Sequence, residues 1–145
     1  MLIIIVEERE MAIMKKKWIT REDLRQNSTT LFVFGDNLQE KGYGGQAKEM
    51  RGEPNAIGIP TKKKPSMTPD SFFSDDDYEK MVNIISEKFR ILTRQLELGF
   101  DVVFPEMGIG TNLAKLEEKA PKIYEYINRR IDWLFLGYGK KENGI

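Results

Sequence analysis

The sequence predicts an α/β fold: a three-layer α/β/α sandwich around a mixed, mainly parallel sheet. Three observations carry this expectation. Short apolar runs recur along the chain, helical apolar periodicity lies between them, and each run is followed by a turn of unusual composition. Strands alternating with helices imply a sheet covered on both faces. In such sheets ligands bind beyond the carboxyl ends of the strands.

Taken in order, residues 19–27 (ITREDLRQN) predict a short helix with Thr20 as N-cap and Glu22 and Asp23 at its positive end. Leu31 to Phe34 reads as a buried strand ended by a turn at Gly35-Asp36-Asn37. Asn55 to Ile59 is a second strand, closed by Pro60. Residues 61–76 form a long loop with Pro65 and Pro69, and loops of that length are often functional. Tyr78, Met81, Val82, Ile85, Phe89, Leu92 and Leu96 then recur at three- and four-residue spacing, an amphipathic helix ended by Leu98-Gly99. Val102 to Pro105 is a third strand. Leu116, Ala120, Ile123, Tyr124 and Ile127 mark another helix, with Pro121 in its first turn or at a kink. Ile131 to Leu136 reads as a last strand.

The chain has 145 residues with 23 basic and 23 acidic side chains, a single domain with no net charge. A chain of this size buries roughly 68–70% of its unfolded surface and needs no staple. Residues 1–18 read as an N-terminal extension and 137–145 as a frayed tail. The apolar opening Leu2 to Val6 is too short to span a bilayer and lacks a basic leader, so no membrane partner is expected and a cytoplasmic location is the default. Cys and His are both absent. That excludes disulfides, Cys/His zinc sites, thiol nucleophiles and Ser-His-Asp triads. No metal and no cofactor are expected. Asp75-Asp76-Asp77 reads as a helix N-terminus, and Trp18 and Trp133 as packing residues.

The chemistry is expected in the turns after Phe34, Ile59 and Phe104. The first, Gly35 through Ala47, holds Gly42, Gly44 and Gly45 just before a helical segment, where bare N–H groups attract an anion. The second, Ile57-Gly58-Ile59-Pro60-Thr61-Lys62-Lys63-Lys64, places Lys62 first beyond the strand, able to set one cation beside developing negative charge. Lys63 and Lys64 read as a solvated face. The third, Phe104 through Asn112, carries Gly108-Ile109-Gly110-Thr111, a concave turn suited to phosphate. Together they suggest one pocket for an extended polyanion such as a diphosphate.

These residues resemble a macrodomain, the ADP-ribose-binding fold, over about 31–136. Gly42-Tyr43-Gly44-Gly45-Gln46-Ala47-Lys48 resembles the family's glycine loop (G-x-G-[IV]-A). Ile57 to Lys62 is similar to the F-P-T-K strand end of the DarG-type macrodomains, which remove ADP-ribose from DNA and use that lysine in catalysis. Val103 to Thr111 resembles the strand and phosphate loop (P-x-[IL]-G-x-G), and Leu116 and Pro121 fall where the family has its L-x-W…P-L-I helix. The resemblance implies catalytic roles for Lys62 and Asn37, the latter facing the distal ribose. It implies ligand contacts from Asp36, Gly42, Gly44, Gly45, Gln46, Thr61, Met107, Gly108, Ile109, Gly110, Thr111 and Asn112. Lys62 would be the pocket's sole cation.

The resemblance also has departures. The family's N-terminal strand and its G-D-[IL] adenine-binding aspartate have no evident counterpart. Gly35-Asp36 is either that pair or part of the asparagine loop. Asn112 stands where a neighbouring subfamily has a catalytic aspartate, with Glu106 an alternative carboxylate. The implied activity is ADP-ribosyl glycohydrolysis, freeing ADP-ribose from modified protein or nucleic acid, DNA included. The alternatives are a non-catalytic ADP-ribose- or nucleotide-binding module, and a protein–protein adaptor in which the glycines are merely turns.

Overall fold

A computed structural model describes residues 12–139. Four strands form one parallel sheet: β1 (Ile13–Lys16), β2 (Leu31–Asn37), β3 (Ala56–Lys62) and β4 (Val102–Pro105), ordered β1-β4-β2-β3. Five helices accompany them: α1 (Arg21–Gln26), α2 (Ala47–Met50), α3 (Tyr78–Glu97), α4 (Leu116–Lys119) and α5 (Pro121–Tyr138). The period of two along each strand divides the core. Phe32, Phe34 and Val103 pack with Ile19, Leu24, Ala47 and Met50 on the α1/α2 face. Val33, Ile57, Ile59, Val102 and Phe104 pack with Met81, Ile85, Phe89, Ile123 and Ile127 on the α3/α5 face. Two helical layers therefore enclose the sheet, as the alternating pattern predicts.

Several local readings hold. Thr20 caps α1, its hydroxyl accepting from the Asp23 N–H while the Asp23 carboxylate accepts from the Thr20 N–H. Asp77 and Ser74 form a second capping box ahead of α3. Asp75 accepts from the Lys122 N–H at the start of α5. Lys64 pairs with Asp70 and Lys63 with Asp77, so both lysines serve the surface.

Other readings are corrected. Ile131 to Leu136 is the second half of α5, because Ile123, Ile127, Ile131 and Leu134 continue one buried helical stripe. Pro121 begins that helix and separates it from α4, as its missing N–H allows at the first position. Residues 13–16, assigned to an extension, are edge strand β1, and Ile19 beyond it is core. Periodicity missed β1 because only Ile13 of its four side chains is buried. Gly35, Asp36 and Asn37 extend β2 rather than ending it, and β3 runs through Pro60. A proline is tolerated there because β3 is an edge strand. Trp18 and Trp133 are 48% and 58% exposed and are no part of the core. The expectations for Leu2 to Val6 and for the tail beyond 139 lie outside the described residues. No helix among the described residues is long and apolar enough to cross a membrane.

Gly58 shows how tightly β2 and β3 approach. A Cβ there would lie 2.6 Å from Asp36 Oδ2 and 2.8 Å from Asp36 Cβ. Gly58→Ala is expected to cost about 1–3 kcal/mol, the usual penalty of overpacking. A urea titration with an unchanged slope and a lower midpoint is the supporting result. An unshifted midpoint contradicts it.

Candidate functional site

All four strands run the same way, so Lys16, Asn37, Lys62 and Pro105 end at one edge of the sheet. The chain leaves β2 toward the α1/α2 face and leaves β4 toward α4 and α5 on the other. Adjacent β2 and β4 thus diverge, which opens a crevice between their ends. A cleft of about 350 Å³ lies there, lined from all four strand ends. Every residue expected to act in catalysis or touch the ligand lines it except Ile109 and the alternative carboxylate Glu106. The Ile109 side chain is fully buried in the core beneath the third loop, which leaves only its backbone for a ligand.

The loops meet around the cleft. A Cβ on Gly44 would fall 2.7 Å from Leu113, and one on Gly42 would fall 3.0 Å from Pro65. Gly110 has φ +80° and no room for a side chain, since Leu116 and Thr61 stand where its Cβ would be. The turn therefore lies flat on β3, with the Gly110 nitrogen 3.5 Å from the Cβ position of Gly35. Among the described residues, the backbone N–H groups of Ile109 through Ala114 and of Gly42 through Gln46 donate to no protein acceptor. Two runs of bare amides at neighbouring strand ends suit a phosphate-bearing ligand.

Lys62 is 6% exposed. Its Nζ donates to the Ser66 carbonyl at 2.7 Å and to Met67 Sδ at 3.3 Å, and it lies 4.8 Å from the centre of the Phe72 ring. Burial lowers its pKa below the ordinary lysine value. Phe72 and Phe73 are buried and pin the long loop, which an antiparallel bridge between Lys62 and Phe72 folds back on β3.

Four expected roles change. Asn37 directs its carboxamide to its own loop, Nδ2 donating to Lys41 O and Oδ1 accepting from the Gln39 N–H. Gln46 grips Ile19 through both of that residue's backbone groups, at 2.8 and 2.9 Å. The Thr61 hydroxyl donates to Asp36 O where the β2–β3 register shifts. Asp36 is held by Arg51 through both carboxylate oxygens and also accepts from the Asn37 N–H. These four side chains shape the cleft walls and have little left to offer a ligand.

Lys62 is also not alone. Lys17, Lys41 and Arg51 share the lining with it, against the single carboxylate Asp36. Glu106 is exposed and outside the lining. Arg51 donates to Gly42 O at 2.6 Å and to Lys41 O at 3.2 Å, so it fastens the glycine loop to β2. Lys17 and Arg51 drew no expectation from the sequence, and Trp18 was expected only to pack. The run Lys15-Lys16-Lys17-Trp18 is a visible signal once β1 is recognised, whereas nothing in the sequence points Arg51 at Asp36.

Compared with known proteins, no curated protein and no solved structure matches the chain. A model of a family of unknown function matches residues 14–130. That span holds the whole cleft lining and all of the sheet except Ile13.

Proposed function

Because the chain belongs to DUF7831, a family of unknown function, its activity has to be inferred from the cleft, and we propose that it is a macrodomain-like ADP-ribosyl glycohydrolase. It removes ADP-ribose from modified nucleic acid or protein. The observation that carries this reading is Lys62, a desolvated amine with no carboxylate partner among the described residues, set in the wall of a cation-lined cleft.

As a neutral amine Lys62 has two N–H groups, and two acceptors meet it, Ser66 O and Met67 Sδ. None of the groups that Nζ meets lines the cleft, so its lone pair attacks once Nζ turns from the 66–72 loop toward the sugar. For an N-linked carrier, ring opening at the anomeric carbon leaves the carrier nitrogen double-bonded to that carbon. Nζ adds there, and the carrier leaves with the bonding pair and a proton as its free amine. Water then hydrolyses the lysyl imine, which frees ADP-ribose and restores Lys62. The bare amides hold the diphosphate, and Lys17, Lys41 and Arg51 supply the positive field that draws it in.

Mixing the protein with ADP-ribosylated DNA or protein in the presence of borohydride tests this reading. The expected results are free ADP-ribose and, with borohydride, a reduced ADP-ribose adduct on Lys62 found by peptide mass spectrometry. One observation favours a non-catalytic binding module instead: the cleft's sole carboxylate, Asp36, is occupied by Arg51 and cannot serve as a general base. Heat of binding with ADP-ribose but neither release nor adduct supports that module. No binding and no release overturns both readings.

A further inference from the structure

We propose that this cleft holds its nucleotide by stacking the base on Trp18 and Tyr43 and discriminates little between bases, so that its ligand class is nucleoside-diphosphate riboses in general. The inference rests on the reading of the cleft as a nucleotide-diphosphate site.

The sheet order sets the direction of the ligand. Trp18 follows β1 at one edge, Lys62 ends β3 at the other, and the amide-rich loops after β4 and β2 lie between them. Three strand spacings separate the two edges, roughly 14 Å. An extended nucleoside-diphosphate sugar spans a distance of that order. Its sugar end meets Lys62, its phosphates meet the bare amides, and its base falls at the β1 edge.

One exposed ring, Trp18, follows β1 at that edge, and a second, Tyr43, stands in the loop after β2. Trp18 is 48% and Tyr43 66% exposed, and both line the cleft. Among the described residues neither has a ring or cation over its face. Gln46 ties the loop that carries Tyr43 to the chain beyond β1: it follows Tyr43 by three residues and is bonded to Ile19, the neighbour of Trp18. Flat, uncovered rings bind any base through its π-face.

The groups that would tell one base from another are mostly committed. The one carboxylate that lines the cleft, Asp36, is occupied by Arg51. The carboxamides of Asn37 and Gln46, natural partners of adenine, are bonded to backbone. Asn112 keeps an exposed amide, whose donor and acceptor ends suit a purine edge of either polarity.

Titration calorimetry with ADP-ribose, inosine-diphosphate ribose and guanosine-diphosphate ribose tests the proposal. Affinities within about threefold of one another are expected, and Trp18→Ala and Tyr43→Ala should each weaken all three by about tenfold. Both side chains are exposed, so circular dichroism should show unchanged folds. Preference for ADP-ribose by more than tenfold overturns base tolerance while leaving the nucleotide site intact. Alanine variants that bind as well as wild type overturn the stacking role. No binding by any of the three overturns the nucleotide site and this inference with it.

Discussion

On the proposed glycohydrolase reading, Lys62→Met is expected to lower ADP-ribose release by about 10²–10⁴-fold, the range that one positioned catalytic group contributes. The same variant should be no less stable than wild type. Methionine fills a similar volume without burying a charge, and the Ser66 carbonyl it abandons lies on an exposed residue that water can reach. Lys62→Arg should fail as well, since a guanidinium cannot lose its proton to become a nucleophile.

The pH dependence has a definite sign. Burial depresses the native pKa of Lys62, so the unfolded chain holds the proton more tightly than the folded one. The cost of burying the ammonium is therefore full at low pH. It is relieved as pH rises through the depressed native value toward the ordinary lysine value of 10.5. The stability advantage of Lys62→Met should shrink over that alkaline window, and wild-type release should rise as the amine form grows. A release assay from pH 6 to 10, run beside urea titrations at each pH, reads both. Release by Lys62→Met at the wild-type rate removes Lys62 from the chemistry.

Arg51→Met is expected to destabilise the fold by about 3–5 kcal/mol. The Arg51 and Asp36 side chains are only 13% and 7% exposed, so deleting the guanidinium strands a buried carboxylate. It also frees Gly42 and Lys41 from the bonds that hold the glycine loop. Against a typical domain stability of 5–15 kcal/mol, this loss is large. Adding Asp36→Asn to Arg51→Met should recover part of it, because the stranded group then carries no charge. Urea titrations of both single variants and the double variant close the cycle. A loss below about 1 kcal/mol for Arg51→Met would mean that water screens the pair as it does on an open surface. ADP-ribose affinity should fall in the double variant even where stability returns, since the glycine loop has lost its fastener.

The layered architecture was legible because it depends on local pattern. Buried strands such as Phe32 to Phe34 and Val102 to Phe104, and the stripe from Met81 to Leu96, are written in the order of apolar residues and survive any tertiary arrangement. Errors fell where pattern and burial part company. Strand β1 exposes three of its four side chains, while α5 exposes Trp133 and Leu136 and so looks too apolar for one helical face.

Glycine loops and Lys62 could be read from the chain alone, because the conformations that glycine permits and a basic residue following a buried strand are local properties. What Lys62, Asn37, Gln46 and Asp36 do with their polar atoms was decided only by folding. Each is satisfied by a partner on another strand, helix or loop, or by the way its own loop closes. The sheet order β1-β4-β2-β3 made the same kind of decision, placing Trp18 at the opposite end of the cleft from Lys62. Residue order dictates which elements form. The pairing of buried polar groups, which must find partners once water is excluded, dictates which of them remain free for a ligand.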